Sequence, residues 1–277
     1  MLKKSRTEVI AVGEMGDYEY DSVGVFADVD GWDLQHMRRV QWYLPTNGPI
    51  VLPSTLPRGT FTRVWDSDIH KIAKSVVATG HLVKNAPIPT EAPAEVDMQT
   101  IRKALIDHGF RVGAADELAT TINRVTLLAD WYQREGQDVL EHEIRTFLVI
   151  PLLLALGWSE QRLKVEHKRI DIACFDRPYN KNNCKSDLVK CTMLVETKAP
   201  RTGLHYVVNQ ARAYAESYDS CNKLVVTDGI RYNIFLKENG AWPARPYAYL
   251  NLADMREHHR YDSSIKGAIE AFTLLLP

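Results

Sequence analysis

Two short apolar runs carry ionisable residues where a buried strand should be apolar: RIDIACFD at 169–176 and LVETKAP at 194–200. Side chains alternate along a strand, so Leu194, Glu196 and Lys198 share one face, and Val195 and Thr197 share the other. In the first run Ile170, Ile172 and Cys174 face one way, and Asp171 lies opposite with Ala173 and Phe175. If the two strands pair, Asp171 and Glu196 converge. Two convergent carboxylates repel unless a cation sits between them, and hard oxygen ligands at an incompletely enclosed site suit Mg²⁺ or Mn²⁺. Lys198 could then orient or deprotonate a metal-bound water, or stabilise the charge developing on a phosphate.

Two helical stretches add candidates. In EHEIRTFLVIPLLLALGW, Glu141 and Arg145 are four apart and share a face ahead of an apolar run that must be core. Glu141 could reach the metal through water; the alternative is an ordinary helical salt bridge with Arg145. In VVNQARAYAESY, Gln210 and Tyr214 have the same spacing. Their amide and phenol could position a phosphate or a carboxylate ligand, or Tyr214 could simply pack a surface helix against the sheet.

The elements that must position these residues follow from periodicity and punctuation. From Glu8 to about Val77, EVIAVGEMGDYEY, RRVQWYL and GTFTRVW are short, rich in Val, Tyr, Thr and Trp, and separated by Gly, Pro and Asp clusters, as in a small sheet or barrel. DSDIHKIAKSVV then reads as a helix, and NAPIPTEAPAEVD is Pro- and Ala-rich, which places a linker at 85–96 between a β-rich domain (1–84) and the rest (97–277). DMQTIRKALIDHG, with Asp97 as N-cap and Gly109 past its end, and DELATTINRVTLLADWYQ, with Ile122, Val125, Ala129 and Tyr132 on one stripe, read as connector helices. A helix, a strand (KVEHKRIDIACF), a strand (VKCTMLVETKA), a helix and a strand pair follow, the order of a mixed α/β layer.

Bulk composition excludes several classes. The chain has 277 residues, 34 Lys plus Arg against 35 Asp plus Glu, and a formal net charge of −1. The balance gives no compositional sign of nucleic-acid binding, although a locally basic groove is compatible with it. The four cysteines (Cys174, Cys184, Cys191, Cys221) show no zinc spacing, and His36, His167, His258 and His259 are scattered, which speaks against a zinc or histidine-based nuclease. No signal-peptide or membrane-spanning run and no phosphate-binding G-x-x-x-x-G-K-[ST] loop is found. A soluble, cytoplasmic protein with no membrane partner and no ATP motor in this chain is expected.

Taken together, EHEIR…PLLLALGW…RIDIACF…LVETKAP…NQARAY…LVVTDGIRYNIF over 138–236 resembles the PD-(D/E)xK nuclease superfamily, with closest likeness to the N-terminal nuclease domain of type I restriction motor subunits and their free-standing relatives. Ile170 stands where the superfamily's name places a proline. The resemblance implies a restriction-endonuclease-like mixed sheet flanked by helices, an α/β (α+β) fold, and Mg²⁺- or Mn²⁺-dependent hydrolysis of DNA phosphodiesters in prokaryotic restriction or anti-phage defence. It implies Asp171 and Glu196 as metal ligands, Lys198 as catalytic lysine, Glu141 (rather than Glu143) as the helix acid, and Gln210 with Tyr214 as the motif that follows. Cutting both strands would require two sites, hence a homodimer or transient pairing on DNA. The alternative is a catalytically inactive module that binds nucleic acid or scaffolds a defence complex. The N-terminal segment resembles PUA- or EVE-like β-barrels that hold a flipped base in an aromatic cage. Trp32, Trp42 and Trp65 are the cage candidates, against core or rim packing as the plainer explanation.

Overall fold

The computed structural model describes residues 1–20, 36–56, 63–84, 92–134, 139–180, 189–199, 204, 208–218 and 220–277. They fall into two compact units, one drawn from residues 1–84 and the other from 92–277. Both are mixed α/β, each with its own sheet flanked by helix. No helix among the described residues is long and apolar enough to cross a membrane.

The first unit is an antiparallel sheet of β1 (Leu2–Lys3), β2 (Glu8–Tyr20), β3 (His36–Leu44), β4 (Ile50–Val51) and β5 (His81–Leu82) in the order β1-β2-β3-β5, with β4 also on β2. Among the described residues this sheet is open and closes no barrel. Helix α1 (Ser67–Thr79) begins because the Asp66 side chain accepts the amides of Asp68 and Ile69 at 2.9 and 3.3 Å. It buries Ile69 and Val76 against Val9, Val12, Leu52 and Leu56. Of the expected strand GTFTRVW, the described part, Arg63–Trp65, is not extended into the sheet.

The second unit is built on a six-stranded sheet in the order β11-β10-β9-β8-β7-β6. Its strands are β6 (Leu163–His167), β7 (Ile170–Phe175), β8 (Cys191–Thr197), β9 (Lys223–Thr227), β10 (Arg231–Leu236) and β11 (Ala248–Asn251). Every pairing is antiparallel except β8 with β9, which run parallel. A parallel neighbour needs a crossover, and helix α6 (Val208–Ala215) lies in it. Helices cover both faces, so β8 and β9 are buried on both sides and read as near-continuous apolar runs. On one face Ile172, Cys174, Met193, Val195 and Val225 pack under α2 (Met98–Asp107), α3 (Val112–Arg134), α5 (Ile150–Ala155) and α7 (Ala268–Leu275). On the other, Ala173, Leu194, Leu224 and Val226 meet Val208, Ala211 and Ala215 of α6.

Several expectations are corrected. Helices α2 and α3 are integral to this core, since Ile101, Leu105, Leu118, Ile122 and Val125 are all buried in it. Residues 92–96, read as linker from composition, belong to the second unit: Val96 is buried, its N–H donates to Met255 O at 2.9 Å, and Glu95 bridges to Arg256. KVEHKRIDIACF is two strands, β6 and β7, joined by a tight turn at Lys168 and Arg169. Ile170 does not share the face of Ile172 and Cys174; it is buried with Ala173 and Phe175 on the opposite side. The alternation therefore breaks at Asp171.

Candidate active site

The candidate residues gather at one end of the second sheet, where β7 begins, β8 ends and α4 (Glu141–Glu143) starts. The register Ile172↔Val195 leaves Asp171 and Glu196 as the next residues on adjoining strands. Lys198 follows β8 directly, and its backbone N–H donates to Thr227 O of the parallel neighbour at 2.8 Å, so the lysine is fixed at the strand end.

Helix α4 continues into a π-helical turn, Ile144–Val149, closed by an i→i+5 bond from Ile150 N–H to Arg145 O. Pro151 has no N–H to give the preceding turn and its ring would crowd the carbonyl four residues back, so a widened turn ahead of it is the accommodating geometry. The result is a stripe in which Ile144, Leu148 and Leu152 are buried with Arg145, Val149 and Leu153. Arg145 does not pair with Glu141. Its Nη1 donates to Asp171 Oδ1 and its Nη2 to Glu166 Oε1, each at 2.8 Å. Glu143 turns back to accept the Leu140 N–H at 2.9 Å, and it is Glu141 that reaches Lys198, with Nζ 3.3 Å from both carboxylate oxygens.

Lys198 Nζ also lies 3.2 Å from Glu196 Oε1. Among the described residues Glu196 Oε2 is buried without a hydrogen-bond partner. Asp171 Oδ2 accepts both the backbone N–H and the hydroxyl of Thr197, at 2.7 and 2.8 Å. Side-chain exposure falls from 47% at Glu141 through 17% at Asp171 and 12% at Lys198 to 4% at Glu196. Desolvation therefore weighs most on Glu196. Burial, then the neighbouring Asp171 charge, push its carboxyl from an ordinary 4.5 up to about 7, and the opposing pull of Lys198 does not cancel them. Burial would lower Lys198, but Glu196 and Glu141 together outweigh it, and the ammonium is held above its usual range. The two partners thus shift in senses that a simple ion pair would not show: one cation is divided among more acids than it can neutralise.

The donor set fits a hard divalent cation. Four carboxylates, those of Glu141, Glu166, Asp171 and Glu196, face two cations, Arg145 and Lys198, and one of the buried oxygens has no partner. Among the described residues no three His, Cys, Asp or Glu converge closely enough to cage an ion alone. Mg²⁺ would take Asp171 and Glu196 and complete its shell from water or a substrate phosphate, its usual habit.

The remaining candidates stand apart. Gln210 Nε2 donates to Tyr214 OH at 2.7 Å, and Tyr214 packs against the core on the α6 face. No hydrogen bond or ion pair among the described residues ties either to Asp171, Glu196 or Lys198. Of the N-terminal tryptophans, Trp32 lies outside the described residues. Trp42 is half-buried beside Gly13, where an added Cβ would come within 3.0 Å of its ring. Trp65 is exposed, with the Arg63 guanidinium 3.9 Å over its ring. Among the described residues no ring contact joins the two. Sequence reasoning missed Glu166 and Thr197 as partners of the site. Thr197 sits on the face opposite Glu196 by alternation, so nothing in the pattern signalled its contact with Asp171.

Compared with protein-family models, with curated proteins and with solved structures, the chain matches none.

Proposed function

We propose that the second unit is a metal-dependent endodeoxyribonuclease of the PD-(D/E)xK kind, with Asp171 and Glu196 as the ligands of Mg²⁺ or Mn²⁺. The observation that carries this reading is the buried, unpartnered Glu196 Oε2 beside Asp171, with the Lys198 ammonium 3.2 Å from the other oxygen of the same carboxylate. The sheet supports it: antiparallel β6, β7 and β8 lead through a crossover helix to a strand parallel with β8, the arrangement a restriction-endonuclease-like fold uses to bring such residues together.

A bound divalent ion would make a water acidic enough to attack at neutral pH and would offset charge on the phosphate. The chain's own groups do the rest. Glu196 and Glu141 hold the Lys198 ammonium above its usual range in the metal-free site, which favours a role as donor to a phosphate oxygen. Glu141 keeps that ammonium in place from the helix side. Arg145 and Thr197 fix the Asp171 carboxylate in one orientation, which leaves its remaining lone pairs aimed by the protein. Hydrolysis then adds water oxygen to phosphorus and breaks the bond to one sugar oxygen, which leaves protonated. Two copies would be needed to cut both strands, and restriction or anti-phage defence is the setting such an activity would serve. A base-reading PUA- or EVE-like role for the first unit would rest on Trp42 and Trp65, between which there is no ring contact among the described residues, together with Trp32.

The rival, a non-catalytic module that binds nucleic acid, draws on one observation: both Asp171 oxygens are already engaged by Arg145 and Thr197. Supercoiled-plasmid cleavage in Mg²⁺, Mn²⁺ and EDTA separates the two. Nicking that needs the metal and disappears in Lys198→Ala and Asp171→Ala supports the nuclease. Absence of cleavage in every metal, with DNA binding unchanged in both variants, supports the module.

A further inference from the structure

The β6–β7 hairpin holds an unfavourable backbone that its sequence could easily have avoided. The pairs Val165↔Ile172 and His167↔Ile170 leave Lys168 and Arg169 as a two-residue loop, with φ of +50° and +71°. Two consecutive positive-φ residues are the requirement of a type I′ turn, which Asn-Gly satisfies without strain and which costs an ordinary side chain roughly 1–2 kcal/mol per residue. Glu166, two residues before Lys168, has φ of +52° as well. Three left-handed residues in a run of four, none of them Gly or Asn, lie within five positions of Asp171.

The surroundings hold this hairpin rigid. Tyr218 donates its hydroxyl proton to His167 O at 2.6 Å, so His167 Nδ1, 2.8 Å from the Tyr218 hydroxyl oxygen, carries the imidazole proton and donates to that oxygen; Nε2 is then the acceptor for Tyr179 OH at 3.2 Å. Lys164 and Lys168 place their ammonium groups 5.5 and 5.2 Å over the Tyr179 and Tyr218 rings. Arg145 pins the base of the hairpin by taking Glu166 and Asp171 together. Glu166 is thereby drawn to Arg145. Lys168 and Arg169 are exposed, and no carboxylate lies within ion-pair distance of either among the described residues.

We infer that the tip of this hairpin grips duplex DNA, with Lys168 and Arg169 each neutralising one backbone phosphate next to the strand end that carries Asp171. Strain retained at a rigid, cationic tip beside the site is explained by what the two side chains touch, since the turn itself would be better served by other residues. The choice of DNA as the polymer rests on the nuclease reading; the phosphate contact does not.

The test is Lys168→Asn/Arg169→Gly in the full chain, a replacement that removes both charges while supplying the residues the turn prefers. Anisotropy with a fluorescent 30-bp duplex in EDTA gives the affinity from 50 to 200 mM KCl. Each lost phosphate contact removes about 0.9 from the slope of log K against log salt. The expected loss of about 1.8 means roughly 200-fold weaker binding at 50 mM and roughly 20-fold at 200 mM. Urea unfolding should show the variant at least as stable as wild type. An unchanged slope and affinity in a folded variant overturns the inference. Plasmid cleavage by the same proteins keeps the two readings apart. Wild-type cutting with unaltered hairpin-variant binding refutes the hairpin alone. A reduced slope in a protein that never cuts upholds the hairpin and refutes the nuclease.

Discussion

Glu196 makes the metal-free fold sensitive to pH in a direction opposite to most carboxylates. Its ordinary value of 4.5 and its value in the fold of about 7 lie two and a half pH units apart, each worth about 1.36 kcal/mol. Ionising it in the folded chain thus costs about 3 kcal/mol, and at 4% side-chain exposure there is little solvent screening to discount. Between those two values the folded chain binds a proton that the unfolded chain does not, so stability falls as pH rises through the window and levels off above it. About 2.5 kcal/mol of the change falls between pH 5 and pH 8. His167 works against it: burial, then Lys168 and Lys164, hold its imidazole below 6.5, so its contribution rises with pH as that value is passed. The carboxylates pulled below their ordinary range, Asp66, Asp97 and Asp262, titrate below the window. Glu196→Gln removes only the first effect. Urea unfolding of wild type and Glu196→Gln in EDTA should therefore show the variant gaining about 2.5 kcal/mol relative to wild type between pH 5 and pH 8. The difference between proteins cancels whatever the other unit contributes. A difference constant to within about 0.5 kcal/mol across that range would mean that Glu196 is not held as an unfavourable anion, and the case for a cation beside it would fall with it.

Lys198→Met removes the ammonium that lies 3.2 Å from Glu196, so the wild-type loss of stability toward pH 8 should steepen and reach higher pH; the same unfolding series reads it. Arg145→Ala leaves Asp171 and Glu166 facing each other unneutralised and should destabilise by about 3 kcal/mol, whereas Arg145→Lys, able to serve one carboxylate, should lose less. Gly229 has φ of +90°, and an added Cβ would lie 2.7 Å from Leu148 Cδ1. Gly229→Ala should destabilise by about 1–3 kcal/mol, and Leu148→Ala should relieve the part due to the Leu148 side chain but not the backbone part, so a double-mutant cycle should show a coupling smaller than the full cost of Gly229→Ala.

What was legible in the sequence is what alters an expected pattern. Glu196 stands out because β8 is buried on both faces and should be apolar throughout, so charge there has no structural excuse, and Lys198 follows directly at the strand end. Asp171 was visible for the same reason. The succession of strands and helix from β7 to β10 followed from short apolar runs and periodicity, whereas the parallel pairing of β8 with β9 did not. The β6–β7 turn was not legible, because its signal is normally Gly or Asn and the chain uses Lys168 and Arg169. Ile170 was placed on the wrong face since alternation assumes an unbroken strand. The salt bridge of Arg145 with Glu141 that α-helical spacing offered as the alternative does not form: the helix continues as a π turn ahead of Pro151, and Arg145 pairs with Asp171 and Glu166. Glu166 and Thr197 became partners only through that turn and through the strand end, neither of which local propensity encodes.

Arg145 ties together the two unfavourable features of the second unit. Its guanidinium joins Asp171, which raises the energy of an ionised Glu196, to Glu166, which lies in the strained hairpin. Elsewhere the unit is conventionally stable, with apolar cores on both faces of the sheet. A chain under selection for stability alone would have no reason to keep an acid cluster with a surplus of negative charge next to a turn built from the wrong residues. Each excess has a natural complement outside the chain: a divalent cation answers the surplus carboxylates, and phosphate answers the cationic tip. A phosphodiester backbone with a bound metal ion supplies both at once. The two complements should then couple, so that Mg²⁺ tightens the grip on DNA in wild type and does so less in Glu196→Gln, and equal Mg²⁺ effects on binding in the two proteins would separate the cluster from the hairpin.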